Sequence, residues 1–192
     1  MTAQIEDSFL LDGEKFTLKS NLEKLIHPRN WGIETTMMNT GCYRGYYATV
    51  AIDGGRLVLQ SLTVSARAGG FPAINGVQPT LLHETRAEYT GIDLQLPYSG
   101  NLIAARGFDR RHYQHMGFHP LSAYKTVMTL QLDDGWVTGR EERQQDTAAT
   151  PVDRPPRLGT TPSASPTASA SASNAQPSDG LMDWIRKRFT RP

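Results

Sequence analysis

Three histidines, His112, His115 and His119, fall within eight residues of this chain. Three imidazoles with water in a fourth position form a recognised zinc set. His112 and His115 would share a face if the run were helical, with His119 seven residues beyond His112. Gly117 and Pro120 oppose a regular helix there. The run therefore reads as a polar loop whose histidines bond to backbone, and neither metal nor cofactor is expected. Arg106, Arg110 and Arg111, interleaved with Tyr113 and His115, have the composition of a phosphate or nucleic-acid patch. Asp109 sits among them and counts against it. Cys42, the only cysteine, could pair with a histidine as nucleophile and base. It lies in no recognisable signature, and a lone cysteine reads first as a small buried hydrophobe. Gly69-Gly70 lacks the Lys-Ser/Thr of a phosphate loop. Glu84 and Glu88 are acid or base options within an irregular 65–88 stretch, and read more simply as solvated carboxylates.

The other concentration of recognition chemistry is at 179–192. On a helical wheel Leu181, Met182, Trp184, Ile185 and Phe189 occupy one arc of roughly 160°. Asp183, Arg186, Lys187 and Thr190 fill the opposite side, while Arg188 lies inside the apolar arc and can snorkel its charge out. Ser178 or Asp179 can cap the start. A helix of about ten residues is marginal alone in water, so this segment is expected to fold on a receiving surface. Leu181, Met182, Trp184, Ile185, Arg188 and Phe189 are the expected partner-binding residues. A protein groove is the favoured receiver, an anionic membrane surface the next, and the chain's own domain the third.

The elements expected to carry these groups are mostly strands. Phe9-Leu10-Leu11, Asp12-Gly13 and Phe16-Thr17-Leu18 read as a hairpin with a type I′ turn. Ser20 is an expected cap for a short helix, Asn21 to Ile26, ended by Pro28. Tyr46, Ala48, Val50 and Ile52 alternate, Asp53-Gly54-Gly55 turns the chain, and Arg56 to Val64 returns. The unbroken Leu57-Val58-Leu59 run predicts a strand covered on both faces. Ile92, Leu94 and Leu96 alternate in a further strand, Leu102 to Ala105 returns, and Met128, Leu130 and Leu132 precede an Asp133-Asp134-Gly135 turn and a closing strand from Trp136. Sequential hairpins without βαβ rhythm predict a mainly β protein: an antiparallel meander curled into a small barrel or sandwich, with one or two short helices.

Composition divides the chain at 143. Residues 1–143 carry 14 basic and 15 acidic residues; residues 144–192 carry 6 and 4. Neither balance selects nucleic acid. Residues 147–178 are nearly all Ala, Ser, Thr, Pro and single polar residues, with Val152 and Leu158 the sizeable aliphatics. Such a segment buries too little to offset its ordering entropy. The expected organisation is a β-rich domain over 1–143, a disordered linker over 144–178 spanning about 30–35 Å, and an amphipathic docking peptide over 179–192. One cysteine excludes an internal disulfide, and no stretch approaches the roughly 18 apolar residues of a spanning helix. The first sixteen residues do not read as a signal peptide. A cytoplasmic location is expected.

The block Arg44-Gly45-Tyr46-Tyr47-Ala48-Thr49-Val50-Ala51-Ile52-Asp53-Gly54-Gly55-Arg56-Leu57-Val58-Leu59 resembles that of an uncharacterised family of small β-rich bacterial proteins. Tyr98-Ser99-Gly100-Asn101-Leu102 and His115-Met116-Gly117-Phe118 with Tyr124 are similar in order. The resemblance spans roughly 8–140. It departs at Val50-Ala51, where the family tends to carry Trp-Glu. It implies a fold unit and no reaction. The expectation for the whole chain is a non-enzymatic protein-binding or accessory module, immunity-like in one form, docked by its C-terminal helix. An enzyme targeted by the tail, with its site between the 65–88 loop and His112–His119, is the alternative, and a peripheral membrane protein the third.

Overall fold

The structure is a computed structural model that describes residues 2–67 and 70–147. Among these residues nine strands form one sheet: β1 (Ser8–Leu11), β2 (Glu14–Leu18), β3 (Tyr46–Asp53), β4 (Arg56–Ser65), β5 (Thr80–His83), β6 (Arg86–Gln95), β7 (Gly100–Phe108), β8 (Tyr124–Asp133) and β9 (Trp136–Gln144). Seven of them close a barrel in the order β3-β1-β2-β7-β8-β9-β4, with β4 returning to β3; β6 and β5 extend from β4. The mainly β reading and the barrel are thus correct.

The local chemistry explains most strands. Asp12 and Gly13 both take positive φ, 52° and 79°, so β1 and β2 pair through a tight turn with Phe9 opposite Phe16. Leu57, Val58 and Leu59 are all buried. β4 has β3 on one edge and both β6 and β9 along the other, and it is covered on both faces. In β3 Tyr46, Ala48 and Val50 lie in the core and half-buried Ile52 packs against it, as the alternation predicts; the register shift opposite Thr49/Val50 leaves Gln60 of β4 as the extra residue. Met128, Leu130 and Leu132 face the core as expected.

The simple meander is corrected. β1 pairs in parallel with β3, Phe9 beside Val50. A parallel neighbour needs a crossover, and residues 19–45 supply it. Within it α1 (Glu23–Ile26) is shorter than expected and opens from Asn21, whose Oδ1 accepts the Glu23 N–H at 2.8 Å. Ser20 is no cap: its hydroxyl accepts from Ile103 N–H at 2.7 Å and donates to Asn101 carbonyl, tying β2 to β7. The 65–88 stretch is largely structured. Ile74 is fully buried in a tight turn with Val77, and β5 and the start of β6 occupy 80–88.

Two seams close the barrel thinly. β2 and β7 share the pairs Thr17–Ala105 and Leu18–Ala104, extended by Lys19 and Ser20 N–H groups on the Ile103 carbonyl. β9 meets β4 at Arg56–Trp136 alone, and the rest of the closure is turn-to-turn. Leu57 N–H donates to Gly135 carbonyl at 2.7 Å, and Val137 N–H to Gly55 carbonyl at 3.0 Å. The Arg56 guanidinium lies 4.1 Å from the Trp136 ring centre. Gly135 is required here: φ is 82°, and a Cβ would strike the Leu96 carbonyl.

A second, smaller cluster of Ala105, Ala123, Tyr124 and Val127 packs outside the barrel wall with Phe108 and Leu121. This outer layer, under the 109–123 loop, holds the groups that matter next. β9 ends at Gln144, and the described residues continue to Thr147. The rest of the expected linker, 148–178, and the expected 179–192 helix lie outside the described residues.

Candidate functional site

The N-terminal arm, residues 3–7, runs between two loops at one end of the barrel. Gln4 N–H donates to the Gly117 carbonyl at 2.9 Å, and Ile5 N–H to the Gly41 carbonyl at 2.7 Å. Gln4 Oε1 accepts from Tyr43 N–H at 3.2 Å. Three segments far apart in sequence are thereby laid side by side.

Two carboxylates fix the arm. Glu6 Oε1 accepts from Lys19 Nζ at 2.6 Å and from His119 N–H at 3.2 Å, while Oε2 accepts from Tyr124 hydroxyl at 3.0 Å. Lys19 also donates to the His119 carbonyl at 2.7 Å and lies 4.6 Å from the Tyr124 ring centre. The Lys19 and Glu6 side chains are only 9% and 10% exposed. Burial, reinforced by the Glu6 charge, pushes the Tyr124 phenol far above the tyrosine range, so it serves as a proton donor. Asp7 accepts both Arg44 guanidinium nitrogens, at 2.5 and 3.0 Å, and the Ala48 N–H at 2.7 Å. Arg44 Nε donates to Tyr46 carbonyl. These acids, committed to several donors each, are pins. Their partners stand 13 to 118 residues away, so no local spacing could have revealed them.

Around the pinned arm apolar side chains stay uncovered. Ile5, Tyr43, Met116 and Phe118 are 39%, 47%, 57% and 56% exposed. Met116 and Phe118 flank Gly117 on one side of the arm, and Tyr43 lies in the loop on the other.

Beside this rim a cleft of about 510 Å³ runs along the β2–β7 seam, where Lys15 and Phe16 part from Arg106, Gly107 and Phe108. Glu6, His119 and Tyr124 form its floor with the arm. The His119 ring packs 4.5 Å from Phe108 and 5.4 Å from Tyr113, centre to centre. Its Nε2 is buried with no hydrogen-bond partner among the described residues. A broader groove of about 850 Å³ lies between α1 and the Pro97–Ser99 turn.

The sequence-derived options fare unevenly. His112, His115 and His119 do not converge: His112 Nε2 meets the Thr147 carbonyl at 2.7 Å, and His115 lies against Tyr113. Among the described residues no group of three or more His, Cys, Asp or Glu is placed to hold a metal. Two of the three arginines of the basic patch are held in ion pairs. Arg106 bridges Glu14 and Glu142, and Arg111 folds onto Asp109. Those Arg111 contacts, with a 2.8 Å bond from Thr147 hydroxyl, hold the Asp109 carboxyl well below the usual carboxylate range. Cys42 is buried and its thiol donates to the Tyr46 carbonyl at 3.3 Å; burial pushes that thiol up, away from nucleophilic thiolate. Glu84 and Glu88 flank the β5–β6 turn and do not approach the histidine loop's cleft. Leu181, Met182, Trp184, Ile185, Arg188 and Phe189 lie outside the described residues. Among the described residues no helix is long and apolar enough to cross a membrane. Compared with known proteins, the chain matches no family model, no curated protein and no solved structure.

Proposed function

We infer that the chain is a non-enzymatic protein-binding or accessory module, with the barrel as a rigid head and the 179–192 segment as a docking peptide. The observation that carries this reading is the uncovered rim of Ile5, Tyr43, Met116 and Phe118 around a firmly pinned arm. Apolar and aromatic groups held on a rigid support lose little entropy when covered, which is what a binding surface needs. The acids near the rim are spent on structure, and the resolved shifts of Cys42 and Tyr124 both move away from the values a neutral-pH catalyst uses. The one-sided apolar pattern of Leu181, Trp184, Ile185 and Phe189 supports a second contact with the same class of partner.

The test is affinity capture with the full chain, a chain lacking 179–192, and a Met116→Glu/Phe118→Glu variant. One protein retained by the first and reduced tenfold or more by either change, with melting unaltered, supports the reading. Retention of all three alike refutes it, and binding of the full chain to anionic vesicles alone moves the tail to a membrane surface. A second reading, a small-ligand or enzyme site in the β2–β7 cleft, has the unpartnered His119 Nε2 in its favour. A His119→Phe variant with unchanged ligand screening profile would remove it.

A further inference from the structure

We propose that Thr147 is a latch on the 110–116 span: seated, it holds Met116 in place beside the arm, and withdrawn, it frees that span while the barrel stays folded. Of residues 110–116 His112 alone is buried; the others are exposed. The span therefore has one inward anchor, and Thr147 fastens it. His112 Nε2 lies 2.7 Å from the Thr147 carbonyl, and the Thr147 hydroxyl donates to Asp109 Oδ2 at 2.8 Å. A carbonyl can only accept, so Nε2 carries the proton. His112 and Thr147 are 8% and 7% exposed.

The fastener belongs to a different part of the chain from the span it holds. Thr147 stands 35 residues beyond His112. It arrives there because β9 runs back beside β8 and Gln145 N–H donates to the Lys125 carbonyl at 2.7 Å. The chain passes through Thr147 on its way to 179–192. A load on that segment reaches the latch before it reaches β9.

The chemistry lets the latch open and shut. Asp109 keeps the Arg111 guanidinium and N–H when the Thr147 hydroxyl leaves, so no charge is stranded. His112 then lacks its acceptor, and a buried donor left unmade favours reclosure. The two ends stay tied, with Asp109 N–H on the Ala123 carbonyl at 2.8 Å and Gln4 N–H on the Gly117 carbonyl at 2.9 Å. Opening is thereby confined to the span between them. That Met116 presents a binding surface rests on the reading above; the latch itself does not.

Amide hydrogen exchange on the full chain, followed by NMR at rising sub-denaturing urea, tests this. The residue 112 and 113 amides, which bond to the Asp109 and Arg110 carbonyls, should exchange through an opening with a shallow urea dependence. The buried Ala48 amide, held by Asp7, should show the steep slope of global unfolding. Thr147→Val and, separately, His112→Phe each remove one latch bond, and should speed exchange at 112 and 113 about tenfold, the worth of one hydrogen bond. Thr147→Ser keeps the hydroxyl and should exchange as wild type does. A slope at 112 and 113 equal to that of Ala48, unchanged exchange in both disabled variants, or a serine variant that behaves like the valine one overturns the latch. No partner is needed for any of these readings. Failed affinity capture therefore leaves the latch standing, and an unresponsive span leaves the rim's binding role standing.

Discussion

Glu6→Gln is the sharpest probe of how the arm is held. The substitution keeps side-chain shape but leaves the Lys19 ammonium, 9% exposed, with the His119 carbonyl and the Tyr124 ring and no counter-charge. Removing one partner of a buried pair costs about 3–5 kcal/mol. Gln can still accept from His119 N–H and Tyr124 hydroxyl, so the lower end, about 3 kcal/mol, is expected. For a β domain of this size that is a fall in Tm of roughly 10 °C. Lys19→Met should cost a similar amount. Glu6→Gln/Lys19→Met removes both charges, and should fall short of the summed single losses by at least about 2 kcal/mol. Urea unfolding at pH 7, followed by far-UV circular dichroism, measures all four proteins. A Glu6→Gln loss below about 1 kcal/mol, the range of solvated pairs, would refute the pinning argument. So would additive single losses.

Three other outcomes follow from the same structure. Burial pushes the Tyr46 and Tyr89 phenols up to about 12, and Tyr124 higher still. The folded chain keeps protons that the unfolded chain releases near pH 10, so stability is intact below pH 10 and falls as pH rises to 12, by up to about 4 kcal/mol per pH unit for three groups; urea midpoints across that window check it. Tyr46 Oη is buried without a partner in hydrogen-bonding geometry among the described residues, so Tyr46→Phe should be neutral or stabilise by about 1 kcal/mol; a loss above 1 kcal/mol in thermal unfolding would show that the hydroxyl is satisfied. Gly135→Ala should cost about 3 kcal/mol or more, through a forced positive φ and collision with the Leu96 carbonyl; a Tm within 2 °C of wild type contradicts it.

The hairpins were legible because their determinants are local. Asp12-Gly13 dictates its turn, Leu57-Val58-Leu59 announces a doubly covered strand, and Met128-Leu130-Leu132 alternates as a half-covered one. The β1–β3 parallel pair was not legible, since it depends on Asp7 catching Ala48 and Arg44 across the crossover. Ser20 misled because a hydroxyl before a helix reads as a cap, whereas tertiary contact with Ile103 claims it. The histidine cluster misled in the same way: proximity in sequence became divergence in space once His112 turned toward Thr147 and His119 slid between rings. The rim was invisible because Ile5, Tyr43 and Met116 become neighbours only after Glu6 and Asp7 seat the arm.

The thin join between β4 and β9 has a kinetic corollary. Residues about 80 apart must meet there, and one strand pair with two turn-to-turn hydrogen bonds rewards their meeting. Loop-closure entropy comes first and compensation is small, so the β4–β9 seam should close last in folding and open first in partial unfolding. Amide protons of Leu57 and Val137 would then exchange through a local opening well below the global unfolding free energy. The barrel behaves as a ring with a clasp: its far wall can stay zipped while the clasp breathes.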